Sequence, residues 1–158
     1  MTDLVVARVL HVLAVVIWIG GVSMATTVAL PAIRRGDLGE NRLEAFHAVE
    51  QRFVWQARTA VIVVGLTGFY MVWRQDLWDR FRTVDFWWMH AMVCLWLLYA
   101  FILFLAEPFI LHRHFHRWAI DQPQVAFAWL HRAHWVLLLL SFVTIIGAVA
   151  GSHGWSIF

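Results

Sequence analysis

The sequence predicts an all-α integral membrane protein, a four-helix bundle formed by residues 1–158 as one transmembrane domain, with both termini on the outer side. Three observations predict it. The chain is 62% hydrophobic with a mean hydropathy of +0.71, whereas an ordinary soluble domain is about 45–50% apolar. Four long apolar segments stand out, and a helix needs ~20 apolar residues to cross a bilayer. Most of the eleven Trp lie near segment ends, among them Trp55, Trp73, Trp78, Trp87, Trp88, Trp118, Trp129 and Trp155, as an interfacial aromatic belt would.

The first helix is expected at about 4–33; its apolar run is far longer than the ~7–15 residues of a signal-peptide core, which argues against a cleaved leader. The second is expected at about 41–74, where a polar stretch runs as helix into the apolar part that begins near Ala57. The third is expected at about 86–112 and the fourth at about 125–151. All twelve basic residues are Arg. Arg34, Arg35, Arg42 and Arg52 flank the first connection, and Arg113, Arg117 and Arg132 the third. The positive-inside rule therefore puts these two connections in the cytoplasm. The single cysteine, Cys94, allows no disulfide within the chain. No serine has a glycine elbow or a placed base, and no phosphate-cradling loop is present.

Ala7, His11, Ala14, Trp18, Gly21 and Ala25 recur at steps of four and three, so they share one face of the first helix. Small residues on that face allow close helix approach. His47, Gln51, Val54, Arg58, Gly65 and Gly68 follow nearly the same spacing on the second helix; His134, Ser141 and Ala148 share a stripe on the fourth. His11 and His90 each fall roughly 12–14 Å from the midplane on the outer side, counted at about 1.5 Å per residue. Arg58, Glu107 and His134 fall at a similar depth on the inner side. Ionisable groups inside a bilayer face the bundle interior and mark function by default.

Two imidazoles at one depth on different helices suit the axial positions of a haem iron. The expectation is haem b, one or two per chain, with His11 and His90 ligating an outer haem beside Trp18. His134, with Arg58 nearby, would serve an inner haem, a quinone or a proton site, and His47 is a weaker candidate there. The plainer reading makes the histidines interhelical glue and Arg58–Glu107 an ion pair that His134 joins. The run His112, His114, His116 reads as a lipid-facing collar, and His131 with His134 as a weak metal pair.

The stretches LHVLAVVIWIGG, LPAIRR and RTAVIVVGLTGFYMVW resemble the first two helices of the copper-resistance protein D-like membrane domain. More distantly, the whole chain resembles the bacterial membrane protoporphyrinogen oxidases, four-helix haem b proteins. His11 before Trp18 and Gly21 matches their first helix, and Trp88 and His90 match part of their W-x-H-x-K motif; Met92 replaces its Lys. The resemblance implies a multi-pass protein of the bacterial inner membrane that binds haem through His11 or His90. The expected function is that of a membrane b-type cytochrome, a possible oxidoreductase exchanging electrons with quinone. The alternatives are a copper-handling permease and a structural or assembly subunit of a respiratory complex. The expected partners are lipid and, beyond it, a second copy of the chain or a respiratory partner; nucleic acid is not expected.

Overall fold

The computed structural model describes residues 2–39 and 41–154, without the side chains of residues 110–114. It is helical, with no strand among the described residues. Four helices are long and apolar enough to cross a membrane: Thr2–Arg35, Arg42–Arg74, Val84–Phe109 and Pro123–Ser152. Trp155 lies outside the described residues.

Helix α1 (Thr2–Arg35) is α-helical to Met24, passes through a π-helical turn at Ala25–Ala29, and closes as α-helix over Leu30–Arg35. Gly36 ends it in the left-handed region, with φ 83°, where only glycine avoids a Cβ clash. The Asn41 side chain then accepts from the Glu44 N–H and starts α2 (Arg42–Arg74). Two 3-10 turns, Trp78–Arg82 and Val84–Phe86, lead into α3 (Trp87–Phe101). From α3 the chain continues through a π-helical segment, Ile102–Leu111, into α4 (His112–Asp121). This third helical run therefore goes well past the expected end near residue 112. Pro123 at the first turn then opens α5 (Pro123–Ser152).

Helix α1 packs mainly on α2, and α3 on α5; the contacts α1–α5 and α2–α3 close the ring. The molecule is thus two antiparallel helix pairs. A central core joins all four spans through Trp18, Val61, Leu95, Tyr99 and Leu138. A second core, at the end opposite the termini, joins Leu30 and Ile33 to Phe115, Ala126 and Phe127. The outward faces are apolar, as Val5, Val9, Val12 and Val16 of α1 show. In water such a surface would drive aggregation, while in lipid it is the expected exterior.

The buried face of α1 follows the anticipated stripe, with Ala7, Ala14, Trp18 and Ala25 all inside. Two members of the expected aromatic belt pack into the bundle rather than standing free on its surface, Trp87 in part and Trp88 fully. Trp87 and Trp88 lie where a Cβ on Gly147 or Gly151 would stand, 2.4 and 2.5 Å away, and Trp88 is buried. Glycines on α5 open the slots that these indoles fill. Trp55, Trp73 and Trp129 do face outward.

Candidate functional site

His11 is half-buried between α1 and α2. Its Nδ1 lies 3.0 Å from the Thr67 Oγ1, and that hydroxyl donates its only proton to the Val63 carbonyl at 2.6 Å. The hydroxyl must therefore accept from His11, so Nδ1 carries the proton and Nε2 keeps its lone pair. A hydrogen bond on one ring nitrogen is how metal-ligating histidines are held in the right tautomer. Gly68 gives the ring its place: a Cβ there would stand 3.3 Å from the imidazole Cε1.

His90 is held differently. Its Nε2 lies 3.0 Å from the Phe81 carbonyl, so it donates there, and the Phe81 ring packs edge-on at 5.5 Å. The lone pair is then on Nδ1, the nitrogen crowded by its own Cβ. His11 and His90 lie on helices that face each other across the ring, and their hydrogen bonds go to different elements. His134 gives Nδ1–H to the Leu130 carbonyl of its own helix at 3.0 Å, leaving Nε2 with a lone pair. It does not join the Arg58–Glu107 pair.

Between the two polar layers the bundle is closed. Trp18 meets Tyr99 edge to face, with centroids 4.7 Å apart, and the Tyr99 hydroxyl pairs with Ser141 at 3.3 Å. The Trp18 Nε1 is buried with no hydrogen-bond partner, which costs about 1–3 kcal/mol. Trp96 fills the space at Gly65, 2.6 Å from where a Cβ would be, and donates to the Val61 carbonyl at 2.8 Å.

The opposite layer is built on two prolines. A π-helix bonds each N–H to the carbonyl five residues back, as the Leu30 N–H does to Ala25. Pro31, next in that register, has no N–H to give to the Thr26 carbonyl. His131 of α5 supplies the missing donor, with Nε2 at 2.9 Å, while its Nδ1 accepts from Arg34 at 2.9 Å. Because Arg34 can only donate, Nδ1 must accept and Nε2 keeps the proton that goes to Thr26; the Trp135 indole N–H also points at this ring, its Nε1 3.1 Å from the same Nε2. The second π segment repeats the arrangement. Pro108 leaves the Leu103 carbonyl, five residues back, without its donor, and Arg58 of α2 fills in through Nε at 3.0 Å. Arg58 also reaches Glu107 through Nη2 at 2.7 Å, the pair being about three-quarters buried.

Each clamp is supplied by the other helix pair: His131 reaches from α5 to α1, and Arg58 from α2 to the π-helical segment that continues α3. The sequence displayed both prolines, and a proline within an apolar helix always orphans a carbonyl. That signal could have found His131, which the spacing alone placed in a metal pair with His134.

Beyond Arg58 a cleft of about 600 Å³ opens along one face of α2, lined by His47, Gln51, Trp55 and Arg58, with Glu107 opposite. His47 meets Glu50 through Nδ1 at 3.2 Å, and its Nε2 lies 3.4 Å from Nδ1 of His116. His112 and His114 lie outside the residues whose side chains are described. Among the described residues no group of three or more His, Cys, Asp or Glu is arranged to hold a metal ion. Comparison with family models, curated proteins and solved structures found no match to the chain.

Proposed function

We propose that the chain is a membrane b-type cytochrome, with haem b held between its helices. The observation that carries this reading is the state of His11: a neutral imidazole inside an apolar bundle, its Nδ1–H pinned by Thr67 and its Nε2 left as a ligand nitrogen. The unpartnered Nε1 of Trp18 stands on the same face of α1, seven residues away. Such an orphan donor fits a polar group, such as the edge of a bound cofactor, better than it fits a finished core. When bound, haem supplies one-electron transfer.

Of the remaining candidates, His134 presents Nε2 and His90 presents Nδ1. For His90 to ligate through Nε2 it must release the Phe81 carbonyl, so the Phe81 turn and the haem site are coupled. Placement in a bacterial inner membrane, cytoplasmic location of the clamp layer and the copper-resistance protein D-like resemblance belong to the same proposal. The reading is tested by oxidised and dithionite-reduced visible spectra of the detergent-purified protein, with a pyridine haemochrome assay. The expected result is a Soret band with sharp reduced α and β bands that His11→Ala abolishes. A featureless spectrum after expression with ample haem would overturn it.

A second reading has its own support. His131 and Arg58 each satisfy a carbonyl on a neighbouring helix pair, as interhelical glue does. A structural subunit of a larger complex needs nothing more. It predicts no bound metal and unchanged folding after His11→Ala.

A further inference from the structure

The cleft along α2 is not used by the histidine layer. It lies beyond Arg58, nine residues or roughly 14 Å along α2 from Thr67 at about 1.5 Å per residue. Its volume, about 600 Å³, falls in the roughly 300–1,000 Å³ range of small-molecule sites. Its wall combines an indole, Trp55, with hydrogen-bonding side chains, Gln51 and Arg52. Trp55 is 71% exposed and stands two residues before the apolar part of α2 begins, so the cleft opens at the edge of the apolar span, where an interfacial indole is expected.

Charge decides between the candidate occupants. Two cations line the cleft, Arg52 and Arg58, and two anions, Glu50 and Glu107. Arg58 is already committed to Glu107 and the Leu103 carbonyl. A phosphate headgroup would meet as much negative as positive charge and would displace no counter-ion. A neutral ring with carbonyl or hydroxyl oxygens pays no such cost: it takes hydrogen bonds from Gln51 and Arg52 and stacks on Trp55.

We infer that this cleft binds the headgroup of a neutral, lipid-soluble quinone or hydroquinone. This deepens the cytochrome reading by naming a redox partner, although binding itself does not depend on haem. The test uses the full chain in nanodiscs of neutral phosphatidylcholine, titrated with decylubiquinone and read by tryptophan fluorescence. The expected result is a saturable quench that is lost in Trp55→Phe, kept in Trp129→Phe, and weakened about tenfold in Gln51→Ala. Both conservative replacements lie on exposed positions and spare the clamps. A quench that is linear in quinone and identical in all variants would overturn the inference. Loss of the saturable quench on adding phosphatidylglycerol, with that lipid retained by the protein in native mass spectra, would overturn it in favour of an anionic lipid. A haem spectrum of the same samples separates the two proposals. Haem without saturable quenching sinks the quinone site alone, and saturable quenching without haem sinks the cytochrome reading alone.

Discussion

The two proline clamps solve one problem with different chemistry. At Pro31 the orphaned Thr26 carbonyl is satisfied by a neutral imidazole, which needs no counter-charge. At Pro108 the orphaned Leu103 carbonyl is satisfied by a guanidinium, and a permanent cation at that depth needs an anion beside it. Glu107 supplies it at 2.7 Å, one residue before the proline. The comparison teaches that the cost of a clamp is set by its donor, not by the carbonyl it serves. The His131 clamp needs no counter-ion, only the exposed Arg34 that donates to its other ring nitrogen, whereas the Arg58 clamp obliges the chain to keep a second charge.

That difference is open to direct test. Arg58→Ala should give the largest effect, because it orphans the Leu103 carbonyl and leaves Glu107 unpaired in one step. Removing one partner of a largely buried pair costs about 3–5 kcal/mol, to be read as lost thermal stability of the detergent-solubilised protein. A variant as stable as the parent would show that the pair is solvated. His131→Ala should cost less, about 1–3 kcal/mol, since the buried group abandoned is a carbonyl, while Arg34 and Trp135, which also lose a partner, are exposed. The register argument is sharpened by Pro31→Ala, which restores an N–H to α1. In that background His131→Ala should cost about 1 kcal/mol less than it does alone. Additive losses would mean that Pro31 and His131 are not linked through Thr26. Two glycines give a packing contrast that ends on the smallest effect. Gly65→Ala puts a Cβ 2.6 Å from Trp96 and should destabilise by about 1–3 kcal/mol, whereas Gly20→Ala meets nothing within 4 Å and should stay within about 0.5 kcal/mol.

Much of the scaffold could be read from the chain. Apolar length gave the four spans, and the three-and-four spacing placed Ala7, Ala14, Trp18 and Ala25 on the buried face of α1. The Arg58–Glu107 pair followed from matched depth alone. What could not be read depends on tertiary placement. Which carbonyl a proline frees depends on whether the local register is four or five residues, and which side chain then reaches it depends on a helix distant in sequence. Trp87 and Trp88 looked interfacial because they stand at a helix end; the slots at Gly147 and Gly151 lie on another element. Depth alone paired His90 with His11 and said nothing of what holds either ring. The His90 bond to the Phe81 carbonyl comes from a 3-10 turn that no periodicity announces.

The Trp18–Tyr99 contact has an electrical consequence. Trp18 and Tyr99 are buried at the centre of the bundle, so in a membrane that carries a potential the apolar stretch between the two polar layers would take a larger share of the voltage than an equal length of wet helix. Moving one elementary charge through the full membrane field is worth about 2.3 kcal/mol per 100 mV. Arg58 and Thr67, which holds His11, are nine residues apart on α2. The layers therefore stand roughly 14 Å apart at about 1.5 Å per residue, about half the separation that the separate depth counts predict. A charge passed from one to the other would feel a large part of that energy. Any traffic past this seal would then be voltage-dependent. Replacing Trp18 with a small residue would admit solvent, flatten that dependence and turn an insulator into a leak.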